Sequence, residues 1–233
     1  MKKAIAAAVL ALGATQAQAP PCVSDTLTNY ISMGSCEIGS NTLTDFAALT
    51  TIPTGATLVA PATITVTPVF ASAFGFGLDF GIGGLAATPG AFLDFLGSYR
   101  VAGNNYARTS LLVDGVPAPD GVLTAIADIC PAGTFPTGIG SCTSGVASQM
   151  ALAQLVGDGP QMDQLALALP GSIAVITDIG IDTGSVGDIS LVVVGNRFAV
   201  PAPSVPILLL GGLAALGLSS RIRRRAIRDS NHS

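Results

Sequence analysis

Tryptophan and histidine are almost missing from this sequence of 233 residues. There is no tryptophan, tyrosine occurs three times, and the single histidine, His232, stands next to the C-terminus. Nucleophilic sites of the Ser-His-Asp and Cys-His types need a histidine within the folded body, so the sequence excludes them. The scarcity of large aromatic side chains also leaves few rings on which a sugar could stack.

Carboxylates are the catalytic groups that remain. Glu37 and twelve aspartates precede residue 200, and glycoside hydrolysis needs only two carboxyl groups on opposite sides of a sugar. Nothing in the sequence places any two of them at the required separation. We therefore assign no catalytic residue, and we expect a protein that is not an enzyme and has no cofactor.

Lysine is absent between residues 18 and 199. This stretch has only Arg100, Arg108 and Arg197 against thirteen acidic residues, a formal net charge of −10. A surface of that sign repels the phosphates of nucleic acids and of anionic lipids. Nucleic acid is therefore excluded as a partner.

The cysteines lack the Cys-x2-Cys spacing of zinc sites. There are four, Cys22, Cys36, Cys130 and Cys142, and an even number in an exported chain indicates disulfides with three possible connectivities. We favour Cys22–Cys36 and Cys130–Cys142, because each pair closes a short loop rich in glycine or proline. The alternative, a zinc site, would also lack histidine ligands, and we predict no metal.

The N-terminus has the pattern of a secretory signal peptide. Lys2 and Lys3 precede an apolar stretch of about ten residues, and small residues follow it. Cleavage fits after Ala17 or after Ala19. We favour Ala17, because the second cut would place Pro20 directly after the cleaved bond. Residues 1–17 are thus predicted to be removed by signal peptidase.

The C-terminal region contains an apolar segment followed by a basic cluster. Three prolines, the last of them Pro206, confine a helix to about 205–220, which is roughly 24 Å long and short for a bilayer. Its predicted anchor residues are Val205, Ile207, Leu208, Leu209, Leu210, Leu213, Leu216 and Leu218. The basic residues are Arg221, Arg223, Arg224, Arg225 and Arg228. The positive-inside rule keeps these arginines cytoplasmic and puts the preceding chain outside; the alternative is a buried core helix with a solvated basic end.

This order of parts resembles the PEP-CTERM sorting signal of Gram-negative bacteria. Val200, Pro201, Ala202 and Pro203 stand where members of that family have Val-Pro-Glu-Pro, and an apolar helix and an arginine cluster follow. Ala202 departs from the acidic residue of the family pattern. Residues 200–228 would form the signal and 229–233 a short tail.

The resemblance implies a substrate of an exosortase-like membrane protease. Such a protein is exported through the inner membrane and transiently anchored there. It then reaches the envelope surface or the extracellular space, where polysaccharide is a possible partner.

Residues 18–199 have the sequence pattern of one β-rich domain. Alternating polar and β-branched residues predict strands at 57–59, 63–66, 99–101, 110–113, 164–169, 173–181 and 189–198, with 121–130 either strand or short helix. The spacing of good helix formers predicts one helix at 147–156. Phe74, Phe76 and Phe80 share strand parity, which favours burial over a flexible binding loop. We expect a mostly β fold, an antiparallel, jelly-roll-like β-sandwich.

Three aspartates surround a glycine-rich turn near the end of this domain. Asp178, Asp182 and Asp188 could hold Ca²⁺, although the spacing is not that of the twelve-residue calcium loop. Aspartates that simply form the turn are the alternative. Two hypotheses of function follow: a structural protein of the cell surface or matrix, or a Ca²⁺- or glycan-binding lectin or adhesin module.

Overall fold

The computed structural model describes residues 18–49, 56–83, 88–103, 106–115, 120–136, 140–144, 148–155, 159–169, 171–185 and 192–200. The predicted signal peptide, the apolar segment at 205–220 and the basic cluster lie outside these residues, as does the sorting motif except for Val200. Within the described ranges, no helix is both long enough and apolar enough to cross a bilayer.

The described chain is built almost wholly of strands. They are β1 (Asp25–Thr26), β2 (Ser35–Ile38), β3 (Asn41–Leu49), β4 (Ala56–Leu58), β5 (Ile64–Val69), β6 (Phe76–Ile82), β7 (Phe92–Ala102), β8 (Tyr106–Asp114), β9 (Val122–Pro131), β10 (Ser148–Leu155), β11 (Gln161–Leu169), β12 (Ser172–Asp182) and β13 (Val192–Ala199). One helix, α1, spans Leu27–Met33, and a single 3-10 turn spans Pro61–Thr63.

The strands form two sheets that pack face to face as a jelly-roll-like β-sandwich. The six-stranded sheet has the order β1-β5-β6-β13-β8-β11, and the seven-stranded sheet has the order β10-β9-β12-β7-β3-β2 with β4 beside β7. All pairings between these strands are antiparallel except that of β4 with β7, and an isolated parallel bridge joins Pro21 to Glu37. The predicted fold class is confirmed.

Alternation along the strands fills the space between the sheets. Odd-numbered residues of β7 and β12 and even-numbered residues of β6 and β13 point into this core. Its centre is a cluster of aromatic rings with centroids 5.8–6.5 Å apart, formed by Phe76, Phe80, Phe95, Tyr99, Tyr106 and Phe198. Phe76 and Phe80 are therefore buried, as their parity predicted, whereas Phe74 lies half-buried before β6 begins.

Both disulfides join the locally paired cysteines. Cys22 is bonded to Cys36, which ties the N-terminal segment to β2, and Cys130 at the end of β9 is bonded to Cys142. Each closed loop is short, as expected from the sequence spacing. Disulfides of this kind are typical of exported proteins.

The prediction of a helix at 147–156 is wrong. Those residues form the edge strand β10, which pairs with β9 from Ser148↔Ile129 to Leu155↔Val122. Met150 and Gln154 are buried, whereas Ala151 and Ala153, which lie between them, are exposed. Burial thus alternates with the period of two that is typical of a strand. Pairing with β9 outweighs the intrinsic helix propensity of these residues.

The one α-helix among the described residues lies where none was predicted. Thr26 caps α1 by accepting a hydrogen bond from the Asn29 amide at 3.3 Å, and Gly34 ends the helix with φ 76°. Leu27 and Tyr30, three residues apart, bury one face. A helix this short depends on packing rather than propensity. The ambiguous segment 121–130 is strand, within β9.

Candidate functional site

The outer face of the seven-stranded sheet, opposite the core, has a closed half and an open half. In the closed half, the loop that begins at Cys130 and returns at Cys142 lies over the sheet. The Gly140 amide and the Gln149 side chain both donate to the Asp128 carboxylate at 2.9 Å. Asp128 and Ile176 beneath the loop are buried. The loop therefore leaves binding surface only toward the other end of the strands.

The open half brings together two aspartates from neighbouring strands. Asp94 on β7 lies opposite Gly180 on β12, and Asp178 lies opposite Leu96, so the two carboxyl groups occupy diagonal positions. Asp94 is only 3% exposed, whereas Asp178 is half-buried. Desolvation, followed by a hydrogen bond and charge repulsion from Asp94, raises the pKa of Asp178 from 3.8 to about 7. Two carboxyl groups in such contact can hydrogen-bond only by sharing a proton.

One carboxylate oxygen of Asp94 lacks a hydrogen-bond partner. Its Oδ1 is buried and has no hydrogen-bond partner among the described residues. A hydrogen bond between the Asp94 and Asp178 carboxyl groups would require a proton on one of them. With both ionised, neither carboxylate has a donor to offer the other, and a buried anion without a partner is costly.

An aromatic ring lies directly beside this pair. A Cβ placed on Gly180 would stand 2.8 Å from Cζ of Phe92, so the Phe92 ring rests on the bare backbone of β12. The same Cβ would stand 2.6 Å from Oγ1 of Thr124, which donates to the Gly180 carbonyl at 3.1 Å. Phe92 is 37% exposed. We call Phe92, Asp94, Thr124, Asp178 and Gly180 the Phe92 site.

The Phe92 site offers a partly exposed aromatic ring on the same sheet face as hydrogen-bonding oxygen atoms. These groups lie on the central strands β7, β12 and β9, so backbone pairing on both sides holds their positions. Such an arrangement can bind a ligand that has an apolar face and hydrogen-bond donors at its rim. Among the described residues, no group of three or more histidine, cysteine, aspartate or glutamate side chains is arranged to hold a metal ion.

The predicted calcium residues are not brought together in the part of the chain that the structure describes. Asp178 and Asp182 lie four residues apart on β12, which separates them by about 13 Å along the strand. Asp182 instead accepts a hydrogen bond from the Gly184 amide at 2.9 Å, the turn-forming role. Asp188 lies outside the described residues.

Sequence reasoning missed Phe92 and Asp94. The run Phe92-Leu93-Asp94-Phe95-Leu96 places an aspartate inside an apolar strand, on the face opposite Leu93 and Phe95. A charged residue within an apolar strand was the signal in the sequence that could have indicated this site. Its partner, Asp178, is 84 positions away, and only the register of β7 with β12 connects them.

A second charged pair lies on the six-stranded sheet and has a structural role. Arg197 on β13 forms an ion pair with Asp79 on β6 and donates to the carbonyls of Leu78 and Asn196, each at 3.1 Å. The Arg197 side chain is only 7% exposed. The contacts with Asp79 and Leu78 join β13 to β6, so Arg197 links these two neighbouring strands.

No protein-family profile and no curated protein matches the chain. Its fold is similar to a solved carbohydrate-binding module, TmCBM61 in complex with β-1,4-galactotriose, with 13% identity, a TM-score of 0.33, and coverage of 72% of this chain and 91% of that one. It is also similar to the enzymatically active domain of tailspike protein 4 of bacteriophage CBA120, with 12% identity, a TM-score of 0.29, and coverage of 70% and 20%. A third structure, of carbohydrate-binding modules from the β-sandwich superfamily, has 10% identity, a TM-score of 0.26, and coverage of 70% and 57%. With TM-scores below 0.5, these likenesses bear on neither ligand nor activity.

Proposed function

We propose that this chain is an exported β-sandwich protein that binds a polysaccharide at the Phe92 site. The observation that carries the proposal is the partly exposed Phe92 ring lying against Gly180, on the same face of the sheet as the Asp178 carboxyl group. This favours the second of the two hypotheses from the sequence, the glycan-binding module. A matrix location is compatible with it, since a matrix protein can be held in place by binding the polymer.

The chemistry of the site suits a sugar ring. The C–H groups of one sugar face pack on an aromatic ring, whose face is electron-rich, while hydroxyl groups at the sugar's edge need hydrogen-bond partners. Asp178 and the lone pairs of the Thr124 hydroxyl supply acceptors at that edge.

The function is proposed to be binding without catalysis. Glycoside hydrolysis needs two carboxyl groups about 5–10 Å apart, with the scissile bond between them. Asp94 and Asp178 instead occupy diagonal positions on paired strands, on one face of the sheet, and Asp94 is almost wholly buried. This arrangement does not place the two carboxyl groups on opposite sides of a scissile bond.

Calcium is not part of the proposal. The two described aspartates of the predicted calcium set are separated along β12, and Asp182 is used by the turn. We therefore expect polysaccharide binding to be unchanged by a chelator, and the melting temperature to be unchanged by millimolar calcium.

Two variants test the site directly. Phe92→Ala removes the ring, whereas Phe70→Ala removes another exposed phenylalanine, 59% exposed and outside the site. With the purified full-length chain on a glycan array and in calorimetry, we expect Phe92→Ala to weaken polysaccharide binding about tenfold, the size of one lost aromatic contact. Phe70→Ala should bind as the wild type does. Absence of any polysaccharide ligand, or equal binding by Phe92→Ala, would contradict the proposal.

Delivery by the sorting tail is a separate proposal. It is supported by the order of Pro201-Ala202-Pro203, the apolar segment and the arginine cluster, and by the disulfides expected of an exported domain. Mass spectrometry of the mature C-terminus is the test. Loss of the arginine cluster in wild-type cells, and its retention when Pro201 and Pro203 are replaced by alanine, is the expected result; an intact wild-type terminus would exclude processing.

A further inference from the structure

We propose that the Phe92 site selects a polysaccharide with free amino groups, an amino-sugar polymer whose ammonium group binds between Asp94 and Asp178. This inference rests on the proposed function and names the ligand class of the same site. It follows from three features of the site: an incompletely paired carboxylate, a lack of nearby cations, and an exposed ring.

The first feature is the buried Asp94 side chain. Asp94 is 3% exposed and its Oδ1 has no hydrogen-bond partner among the described residues. Two carboxylates in contact are stable together only with a proton or a cation between them. An ammonium group can donate to both at once, because it has three N–H donors. A hydroxyl group has only one donor and no charge.

The second feature is that the described chain supplies no cation of its own to the pair. Arg100 is the arginine on this face, six residues from Asp94 along β7 and thus about 20 Å away. It is bound to Asp45 of β3 at 3.2 Å and to the Gly133 carbonyl at 3.3 Å.

The other charged groups on this face are acidic. Asp182 lies on β12, Asp128 lies on β9 beneath the disulfide loop, and β4, of sequence Ala-Thr-Leu, has no charged residue. Any cation other than a proton that binds the pair would therefore have to come from a ligand.

The third feature is the ring itself. The Phe92 ring is 37% exposed beside the pair, and a cation over an aromatic face is attracted by its quadrupole. A sugar unit stacked on Phe92 with an amino substituent directed toward Asp178 meets both requirements. The net charge of −10 on residues 18–199 attracts a polycation and repels polymers of uronic acids.

Matched oligosaccharides test the inference. Calorimetry with the full-length chain would compare an oligomer of free-amino glucosamine, its fully N-acetylated counterpart and a uronic-acid oligomer of equal length, all near pH 6.5. We expect the free-amino oligomer to bind at least about tenfold more tightly than the N-acetylated one, the size of one charge-assisted hydrogen bond. The uronic-acid oligomer should bind most weakly.

Two variants distinguish binding at the Phe92 site from attraction of the ligand by the overall negative charge of the surface. Asp178→Asn removes one charge from the pair, and Asp114→Asn removes one charge from an exposed position on β8 in the other sheet. We expect Asp178→Asn to abolish the preference for free amino groups and Asp114→Asn to keep it. Equal losses in both variants would show attraction by the whole surface, and would overturn the inference.

The outcomes also distinguish this inference from the proposed function. Equal binding of the free-amino and N-acetylated oligomers, with loss in Phe92→Ala, would overturn the amino-sugar ligand and leave polysaccharide binding standing. Absence of binding to every oligosaccharide would overturn both.

Discussion

The ion pair between Asp79 and Arg197 gives the sharpest prediction about stability. Asp79→Ala removes the carboxylate and leaves the guanidinium in place, where its side chain is only 7% exposed. The two remaining hydrogen bonds, to the carbonyls of Leu78 and Asn196, use Nη1 alone, so Nη2 loses its partner. A cation buried without a counter-charge typically costs about 3–5 kcal/mol. For a domain of this size, that corresponds to a fall of about 6–20 °C in the melting temperature.

The partner variant should cost less. Arg197→Met removes the buried cation and leaves Asp79, whose side chain is 24% exposed and can reach water. We therefore expect Asp79→Ala to be more destabilising than Arg197→Met. The double variant should recover part of the loss of Asp79→Ala, because it no longer contains an unpaired buried charge.

Denaturant unfolding of the full-length chain, wild type and the three variants, measures these differences. Asp114→Ala, at an exposed position, serves as the control and should change the free energy of unfolding by less than about 0.5 kcal/mol. If Asp79→Ala is no more destabilising than this control, then Arg197 is not held in a water-excluded position, and the reasoning is refuted.

Three further predictions concern the outer face of the seven-stranded sheet. Gly180→Ala should displace the ring above it and weaken polysaccharide binding several-fold in calorimetry, whereas Gly159→Ala, whose Cβ would meet nothing within 4 Å, should not. Because the pKa of Asp178 is raised from 3.8 to about 7, the folded state binds one more proton than the unfolded state between these pH values. The free energy of unfolding should therefore fall as the pH rises from about 4 to about 7. Denaturant unfolding at a series of pH values should show a smaller dependence of this free energy on pH in Asp178→Asn than in the wild type. Replacing Cys130 and Cys142 by serine should cost about 3 kcal/mol in unfolding experiments, from the chain entropy of a loop with a sequence separation of 12; a loss below 0.5 kcal/mol would contradict this.

Local patterns were sufficient for most of the strands. The alternation in 173–181 and 110–113 predicted β12 and β8, because each of these strands buries one face against the core. The disulfide pairing also followed from local loop length. The predicted strand at 63–66 ends too early, since β5 continues through Pro68; the pairing of β5 with β1 reaches only Val66, so the missing amide of Pro68 lies beyond it.

The errors have non-local causes. The segment 147–156 contains good helix formers, and only its pairing with β9, across the disulfide loop, makes it a strand. Helix α1 has seven residues and no period long enough to detect. Asp178 was identified as a candidate residue, but with the wrong neighbours, because nearness in sequence was taken for nearness in space.

The Phe92 site shows why register decides function in such a sheet. A shift of β12 by one residue against β7 would turn Asp178 into the core and remove the glycine on which the ring rests. That register is fixed by eleven paired positions, from Ser172↔Ala102 to Asp182↔Phe92, and by the buried odd-numbered residues of both strands. Holding two carboxyl groups close together costs free energy. Packing of the core on the other side of the sheet therefore offsets this cost, rather than partners within the site. A site supported in this way can keep a carboxylate incompletely paired in the free protein, and we expect that unmet pairing to favour a cationic sugar as the ligand.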